Sequence, residues 1–331
     1  MTEDPQKKHN RTDPAGAPRQ DPIADLLSRH PVLILDGAMA TELEGRGCDL
    51  DDPLWSARVL LDHPGHIRDV HADYFRAGAD CAITASYQAT VEGFAARGIG
   101  EEEALRLIRL TVELAAQARD EFWAGGDHGD RSKPIVAASV GPYGAYLADG
   151  SEYVGHYGVS DERLAQFHRP RMRALIEAGA DLLAFETIPS LQEALVLADL
   201  LEEFPGTFAW MSFSLQNGRQ ISEGTPLEQC ALALEPRAGI AAIGVNCAPS
   251  SAAAEAVAVL AAHTSKPVLV YPNSGESYDA STKTWHGGES AACGDMADSA
   301  RAWHAAGARL IGGCCRTTPE QIARIASVWR A

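Results

Sequence analysis

Leu310-Ile311-Gly312-Gly313-Cys314-Cys315-Arg316-Thr317-Thr318-Pro319 passes from a short apolar segment, through two glycines and two adjacent cysteines, to the start of a helix. Thr318 followed by Pro319 fits a helix N-cap with proline at the first helical position. The stretch therefore reads as strand, turn and helix in succession. Neighbouring residues on a strand point to opposite faces, so two adjacent thiols reach one point only where the backbone leaves strand geometry. Gly312 and Gly313 are expected to permit that, since glycine reaches dihedrals that other residues avoid.

Seven more apolar runs precede it, each followed by a turn and a helical pattern. They are Val32–Leu35, Cys81–Ile83, Pro134–Ala138, Leu182–Phe185, Phe208–Phe213, Ala241–Cys247 and Pro267–Tyr271. Near-continuous apolar strands imply a parallel sheet covered by helices on both sides. Three helix-to-strand joints repeat: Ala77-Gly78-Ala79-Asp80, Ala178-Gly179-Ala180-Asp181 and Ala306-Gly307-Ala308-Arg309. In each, glycine stands where a helix end takes a left-handed residue. The intervening helices include one from Glu101 to about Trp123, with an acidic first turn, and one opening at Ser160. Eight strand–helix pairs in 331 residues predict a single-domain (β/α)8 TIM barrel over residues 21–331. A doubly wound sheet is the other arrangement of such units, and the count and length favour closure. Residues 1–20, polar and rich in proline and charge, read as a disordered tail without the apolar core of a signal peptide.

The hydrophobic fraction is 46% and the net charge −17. An acidic surface disfavours nucleic acid and anionic membranes, and no apolar run approaches the ~20 residues of a membrane span. A cytoplasmic protein is expected. Seven cysteines without framework spacing do not make a disulfide scaffold. Cys48, Cys81, Cys230 and Cys293 read as small buried apolar residues.

Active sites of such barrels lie at the C-terminal ends of the strands. Asp36, Thr84, Ser86, Ser139, Glu186, Asn246, Cys247, Asn273, Cys314 and Cys315 all fall there. Strands six and eight are both even-numbered, so Cys247 and Cys314 are expected to point inward at similar height. Cys247, Cys314 and Cys315 are read as the three ligands of one catalytic Zn²⁺ with an open position for a substrate thiol. Zinc lowers the pKa of a bound thiol from ~8.5. A strained vicinal disulfide and a zinc or thiol redox sensor are the competing readings of the pair. A zinc hydrolase would need histidine-rich strand ends, and the first strand ends instead in Asp36-Gly37-Ala38. The segment from Gly141 to Gly158, with five glycines and four tyrosines, is a candidate lid. A cationic substrate would be helped by aromatic faces, for which Tyr87, Tyr143, Tyr271 and Trp285 are candidates, with Asn273 beside them.

Six stretches taken in order carry a resemblance. They are Asp36–Leu43, Ser139–Gly144, Glu186-Thr187, Gly244–Cys247, Tyr271–Glu276 and Gly312–Arg316. Together they resemble the homocysteine S-methyltransferase family, from about Pro31 to the C-terminus. The similarity is greatest to the bacterial members that use S-methylmethionine or S-adenosylmethionine. The resemblance implies zinc held by Cys247, Cys314 and Cys315, with homocysteine sulfur as fourth ligand. It implies that Glu186 and Asp36 hold the amino-acid end of homocysteine. Thr84, Ser86 and Asn246 are further substrate-side candidates, Asn246 orienting the cysteine loop. Methyl transfer to the homocysteine thiolate would give methionine. Betaine enzymes of the family carry a C-terminal extension that joins subunits, and this chain stops after its eighth helix. A sulfonium donor and a monomer are therefore expected over betaine, with selenocysteine methylation as an alternative. No corrinoid or folate module is expected.

Overall fold

The computed structural model describes residues 20–50, 55–274, 277–279, 284–286 and 296–330. Eight strands form its centre: β1 (Leu33–Ile34), β2 (Cys81–Ile83), β3 (Ile135–Val140), β4 (Leu182–Ile188), β5 (Ala209–Phe213), β6 (Ile240–Asn246), β7 (Val268–Tyr271) and β8 (Ala308–Ile311). All pair in parallel with their sequence neighbours, and β8 pairs with β1. A parallel bridge between Leu35 and Cys81 joins β1 to β2 and closes the ring. The expected (β/α)8 barrel is the observed fold.

The alternation of a strand sorts side chains to two sides of this ring. Leu33, Ala137, Leu182, Ala184, Trp210, Ala242, Leu269 and Leu310 form one buried cluster inside the barrel. Ile34, Val136, Leu183, Phe185, Met211, Ile243 and Ile311 belong to the larger cluster beneath the helices. Ile23 and Leu26, from the helix Pro22–Leu27, join the interior cluster and plug its N-terminal end. Asp21 caps that helix, accepting from the Ile23 N–H at 2.9 Å.

The repeated helix-to-strand joints work through both of their ends. Gly78, Gly179 and Gly307 have φ of 109°, 89° and 122°, the left-handed turn that the sequence predicts. The aspartates that end the first two joints grip the preceding strand. Asp80 donates its backbone N–H to the Ile34 carbonyl at 2.7 Å and accepts the Ile34 N–H on Oδ2 at 2.9 Å. Asp181 treats Val136 in the same way, at 3.0 and 2.7 Å. Arg330, just beyond the last helix, pairs with Asp80 and with the Gly78 carbonyl.

Gly312 and Gly313 differ from expectation in their reason. Neither has a positive φ; Arg316 does, at 66°. They are glycines because of close approach. A Cβ on Gly312 would lie 2.6 Å from the Leu35 Cβ, and one on Gly313 2.2 Å from the Thr317 side chain. The segment 141–158 is also more ordered than a plain loop, with a helix Tyr143–Leu147 and a 3-10 turn Ser151–Tyr153. Among the described residues, no helix is long and apolar enough to cross a membrane.

The seam yields a prediction. Asp80→Ala leaves the buried Ile34 N–H without its acceptor and the Arg330 guanidinium with the Gly78 carbonyl alone, and should cost about 2–4 kcal/mol in chemical denaturation. A loss below about 0.5 kcal/mol would show that the carboxylate does not hold the seam.

Candidate active site and metal centre

The inner face changes character towards the C-terminal ends of the strands. Ala137 is followed two residues later by Ser139, Ala184 by Glu186, Trp210 by Ser212 and Leu269 by Tyr271. The apolar interior thus ends in a polar layer made by the same alternation. Above it sit the three sulfurs. Those of Cys247, Cys314 and Cys315 all lie within 4.8 Å of one another, with Cys247 and Cys315 3.6 Å apart.

The backbone brings them there through β7. Cys247 follows β6 with φ 49°, a strained left-handed conformation that turns it out of the strand. Its N–H donates to the Tyr271 carbonyl at 3.2 Å, and the Cys314 N–H to the Pro272 carbonyl at 2.8 Å. Tyr271-Pro272 is therefore the spacer between the two cysteine loops. The Gly313 N–H donates to the Asp36 carbonyl at 3.1 Å, which seats the second loop on the end of β1. Tyr74 donates its hydroxyl to the Thr317 carbonyl at 2.8 Å and to that of Ala38 at 3.1 Å, fixing the far side of the loop.

Asn246 holds the first loop. Its Oδ1 accepts from the Thr187 N–H and the Ser212 hydroxyl, both at 2.7 Å, and its Nδ2 donates to Thr187 Oγ1 at 2.8 Å. Thr187 has φ 60°, so Asn246 links two strained residues, at the ends of β4 and β6. Cys247 is drawn well below the usual thiol range by hydrogen bonds from Cys314 and Cys315, with Tyr153 and Asn273 adding to them. The Tyr153 hydroxyl lies 3.1 Å from its sulfur.

Glu186 is 8% exposed, within the inner layer. The Ser139 hydroxyl donates to Oε1, and the Tyr271 hydroxyl to Oε2 at 3.1 Å. Trp210 Nε1 in turn lies 3.2 Å from the Tyr271 hydroxyl. Burial raises the Glu186 carboxyl to about 7 against the pull of these two donors, and the Cys247 charge adds to the rise. Asp36 is pushed well above the carboxylate range, first by burial and then by Glu186, although its Oδ2 accepts the Ile83 N–H at 2.8 Å.

The other residues singled out in the sequence divide. Thr84 Oγ1 accepts the Ser139 N–H at 3.0 Å, and the Ser86 hydroxyl donates to the Ser139 carbonyl at 2.7 Å. Both hydroxyls are thus engaged in fixing the residue that holds Glu186. Tyr87 lies at the mouth, where burial and the charges of Glu152 and Cys247 push its phenol up. Tyr143 sits in an aromatic group with Tyr146, Tyr157 and Phe167, under the Arg163 guanidinium. Trp285 lies opposite Tyr278 in the hairpin Ser277–Asp279/Thr284–His286, and its side chain is outside those described. Cys48, Cys81 and Cys230 are buried away from the cluster, and Cys293 is outside the described residues. Glu152 and Tyr153 were not singled out. They stand 94 or more residues before the cysteines in a segment without strand or helix periodicity, and only its density of tyrosine hinted at them.

The mouth of this barrel gathers three thiols that could hold a metal ion, near a buried carboxylate. A profile described as homocysteine S-methyltransferase matches residues 33–329. The chain belongs to the homocysteine S-methyltransferase family, a family of enzymes. It is 59% identical over 309 residues to homocysteine S-methyltransferase YbgG of Bacillus subtilis, covering 93% of this chain and 97% of that protein. It is 53% identical to homocysteine S-methyltransferase of Escherichia coli over 93% of this chain and 98% of that one. The crystal structure of the homocysteine methyltransferase MmuM from Escherichia coli, metallated form, superposes with a TM-score of 0.84 at 49% identity. That match covers 92% of this chain and 99% of the other.

The raised Glu186 carboxyl has a sign that can be checked. The fold holds this proton up to about 7, whereas an unfolded carboxyl releases it near 4.5. Stability is therefore lost as pH rises from 4.5 to 7, and the loss persists above. Glu186→Gln does not titrate, so the ligand-free variant should gain on wild type between pH 5 and 8, by on the order of 1–3 kcal/mol. Thermal melts across that range measure it, and a gap that does not change with pH would refute the buried-proton account.

Proposed function

We propose that the chain transfers a methyl group from a sulfonium donor, S-methylmethionine or S-adenosylmethionine, to the sulfur of L-homocysteine, forming methionine at a zinc centre. The observation that carries this reading is the convergence of Cys247, Cys314 and Cys315 within 4.8 Å. Three soft sulfur donors suit zinc, and three protein ligands leave a place for a substrate donor, as catalytic zinc sites do. The metallated form of the Escherichia coli relative supports a metal in this family. Zinc in this place supplies a lowered thiol pKa, so that the acceptor sulfur is a thiolate at neutral pH.

The chain's own residues do the rest by holding and excluding. Glu186, fixed by Ser139 and Tyr271, receives the homocysteine ammonium; the arriving cation favours its ionised form. Asp36, raised by burial and by the Glu186 charge, has one oxygen committed to the Ile83 N–H. Tyr153 and Asn273 hydrogen-bond the Cys247 sulfur and hold its direction. In the transfer, a bond forms between the acceptor sulfur and the methyl carbon as the donor S–CH₃ bond breaks. The electron pair of that bond stays on the donor sulfur, which leaves as a neutral thioether. One negative and one positive charge disappear together, so a site that excludes water favours the step. No side chain is required as a general base. Orientation of two bound substrates supplies the remainder.

Purified protein with homocysteine should form methionine from S-methylmethionine or S-adenosylmethionine. A chelator should abolish the reaction, and added zinc should restore it. Cys314→Ser should lower zinc occupancy and reduce the rate roughly 100-fold or more. Methionine formed from betaine alone would overturn the donor assignment, and full activity of metal-stripped Cys314→Ser would overturn the mechanism.

A further inference from the structure

The turn Ser151–Tyr153 lies over the cysteines and is built to stay there. Gly150 enters it with φ 90°, and Asp149 caps it through the Ser151 N–H at 3.0 Å. Ser214, fully buried, donates its hydroxyl to the Glu152 carbonyl at 3.1 Å. A Cβ on Gly144 would lie 2.5 Å from the Glu152 nitrogen, so the preceding helix packs directly on the turn. The next residue, Tyr153, touches Cys247.

Between these anchors stands a carboxylate that the mechanism above does not use. Oε2 of Glu152 is shielded from solvent and has no hydrogen-bond partner. Among the described residues no lysine, arginine or histidine forms an ion pair with Glu152. Burial raises its carboxyl above the usual range, and its own backbone N–H only partly opposes the rise. The charge of Glu152 also acts on Tyr87, as do those of Cys247 and Glu186, so the four groups share one mouth. A carboxylate oxygen shielded from water without a partner is costly in any protein. Glu152 is half-buried, and among the described residues its shielded oxygen has no cation to offset that cost.

We propose that Glu152 is the counter-charge for the sulfonium group of the methyl donor, with the Tyr87 and Tyr153 rings beside it. This rests on the reading of the reaction given above. Glu186, on the inner face of β4, is matched to the ammonium of the acceptor. A second cation therefore needs a second carboxylate, and Glu152 is the one placed on the lid side of Cys247. Aromatic faces add to the binding of an organic cation. Glu152 exchanges no bond and no proton with the substrates.

The role has a kinetic signature. The sulfonium charge is whole in the bound donor and partly neutralised in the transition state. A carboxylate facing it stabilises the ground state at least as much as the transition state, so it lowers the donor KM and does not raise kcat. In zinc-loaded Glu152→Gln, the donor KM should rise 10-fold or more, with kcat falling less than threefold and the homocysteine KM within twofold of wild type. Glu152→Asp keeps the charge and should recover part of the donor affinity. Binding of the trimethylsulfonium ion, which has no amino-acid group, should weaken 10-fold or more in Glu152→Gln by calorimetry, at unchanged zinc content. Unchanged trimethylsulfonium binding or an unchanged donor KM would overturn the proposal. So would equal losses towards both substrates in Glu152→Gln and Glu152→Asp, which would mark a structural role for the turn. Failure of wild type to use any sulfonium donor would instead sink the reaction assigned above, and the trimethylsulfonium measurement still decides the role of Glu152.

Discussion

The barrel depends on the seam between its first and second strands, and two buried carboxylates make that seam. Asp80 accepts the N–H of Ile34 below the Leu35–Cys81 bridge, and Asp36 accepts the N–H of Ile83 above it. Side-chain oxygens thus stand in for ladder carbonyls at the two ends of this short pairing, Asp80 on the β2 side and Asp36 on the β1 side. The same Asp36 offers its backbone carbonyl to Gly313. Closing the barrel and seating the second cysteine loop are therefore one event at one residue. A ring left open at this point would let β1 move from β2, and with it the platform on which Cys314 and Cys315 stand.

From that platform the site follows by counting along strands. Alternation sends Ala184 and Glu186, or Leu269 and Tyr271, to the same side, so the interior turns polar only where the apolar packing stops. The hydroxyls of Thr84 and Ser86 fix the backbone of Ser139, whose own hydroxyl donates to Glu186. Their work is to hold one carboxylate in one orientation. Asn246 does the same for the loop of Cys247, by fastening it to the equally strained Thr187. Left-handed conformations at two non-glycine residues cost on the order of 1–3 kcal/mol each, and they persist where neighbours over-determine them.

Much of this was legible in the chain because it is local or periodic. The eight apolar runs, the glycine joints and the Thr318-Pro319 helix start each depend on residues close in sequence, and each is found as read. The cysteines stood out because two adjacent thiols are unusual in such a setting. What escaped the sequence depends on contacts between distant segments. The glycines at 312 and 313 make room for Leu35 and Thr317 and have no unusual dihedrals of their own, and a single chain does not show what will press on it. Asp36 stood out as a polar residue at a strand end, and its carboxylate proves to span two strands. Glu152 and Tyr153 lie in a segment whose position over the mouth is set by Ser214 and Gly144, from parts of the chain with no local relation to them.

The charges in the mouth give the arrangement its direction. Glu186, Asp36 and Glu152 are all raised by burial, and Cys247 alone is lowered, by donors grouped around its sulfur. Without ligands the site resists negative charge except within the group of sulfurs. Each cation that arrives, whether metal, ammonium or sulfonium, makes the neighbouring carboxyls easier to ionise and is itself bound more tightly in return. Burial thus turns a group of acids into a set of sites that become charged in response to cations. In the reaction proposed above, a sulfonium would be the member of that set whose charge is consumed. As a neutral thioether it would no longer be attracted, and product release would follow from the same electrostatics that govern binding.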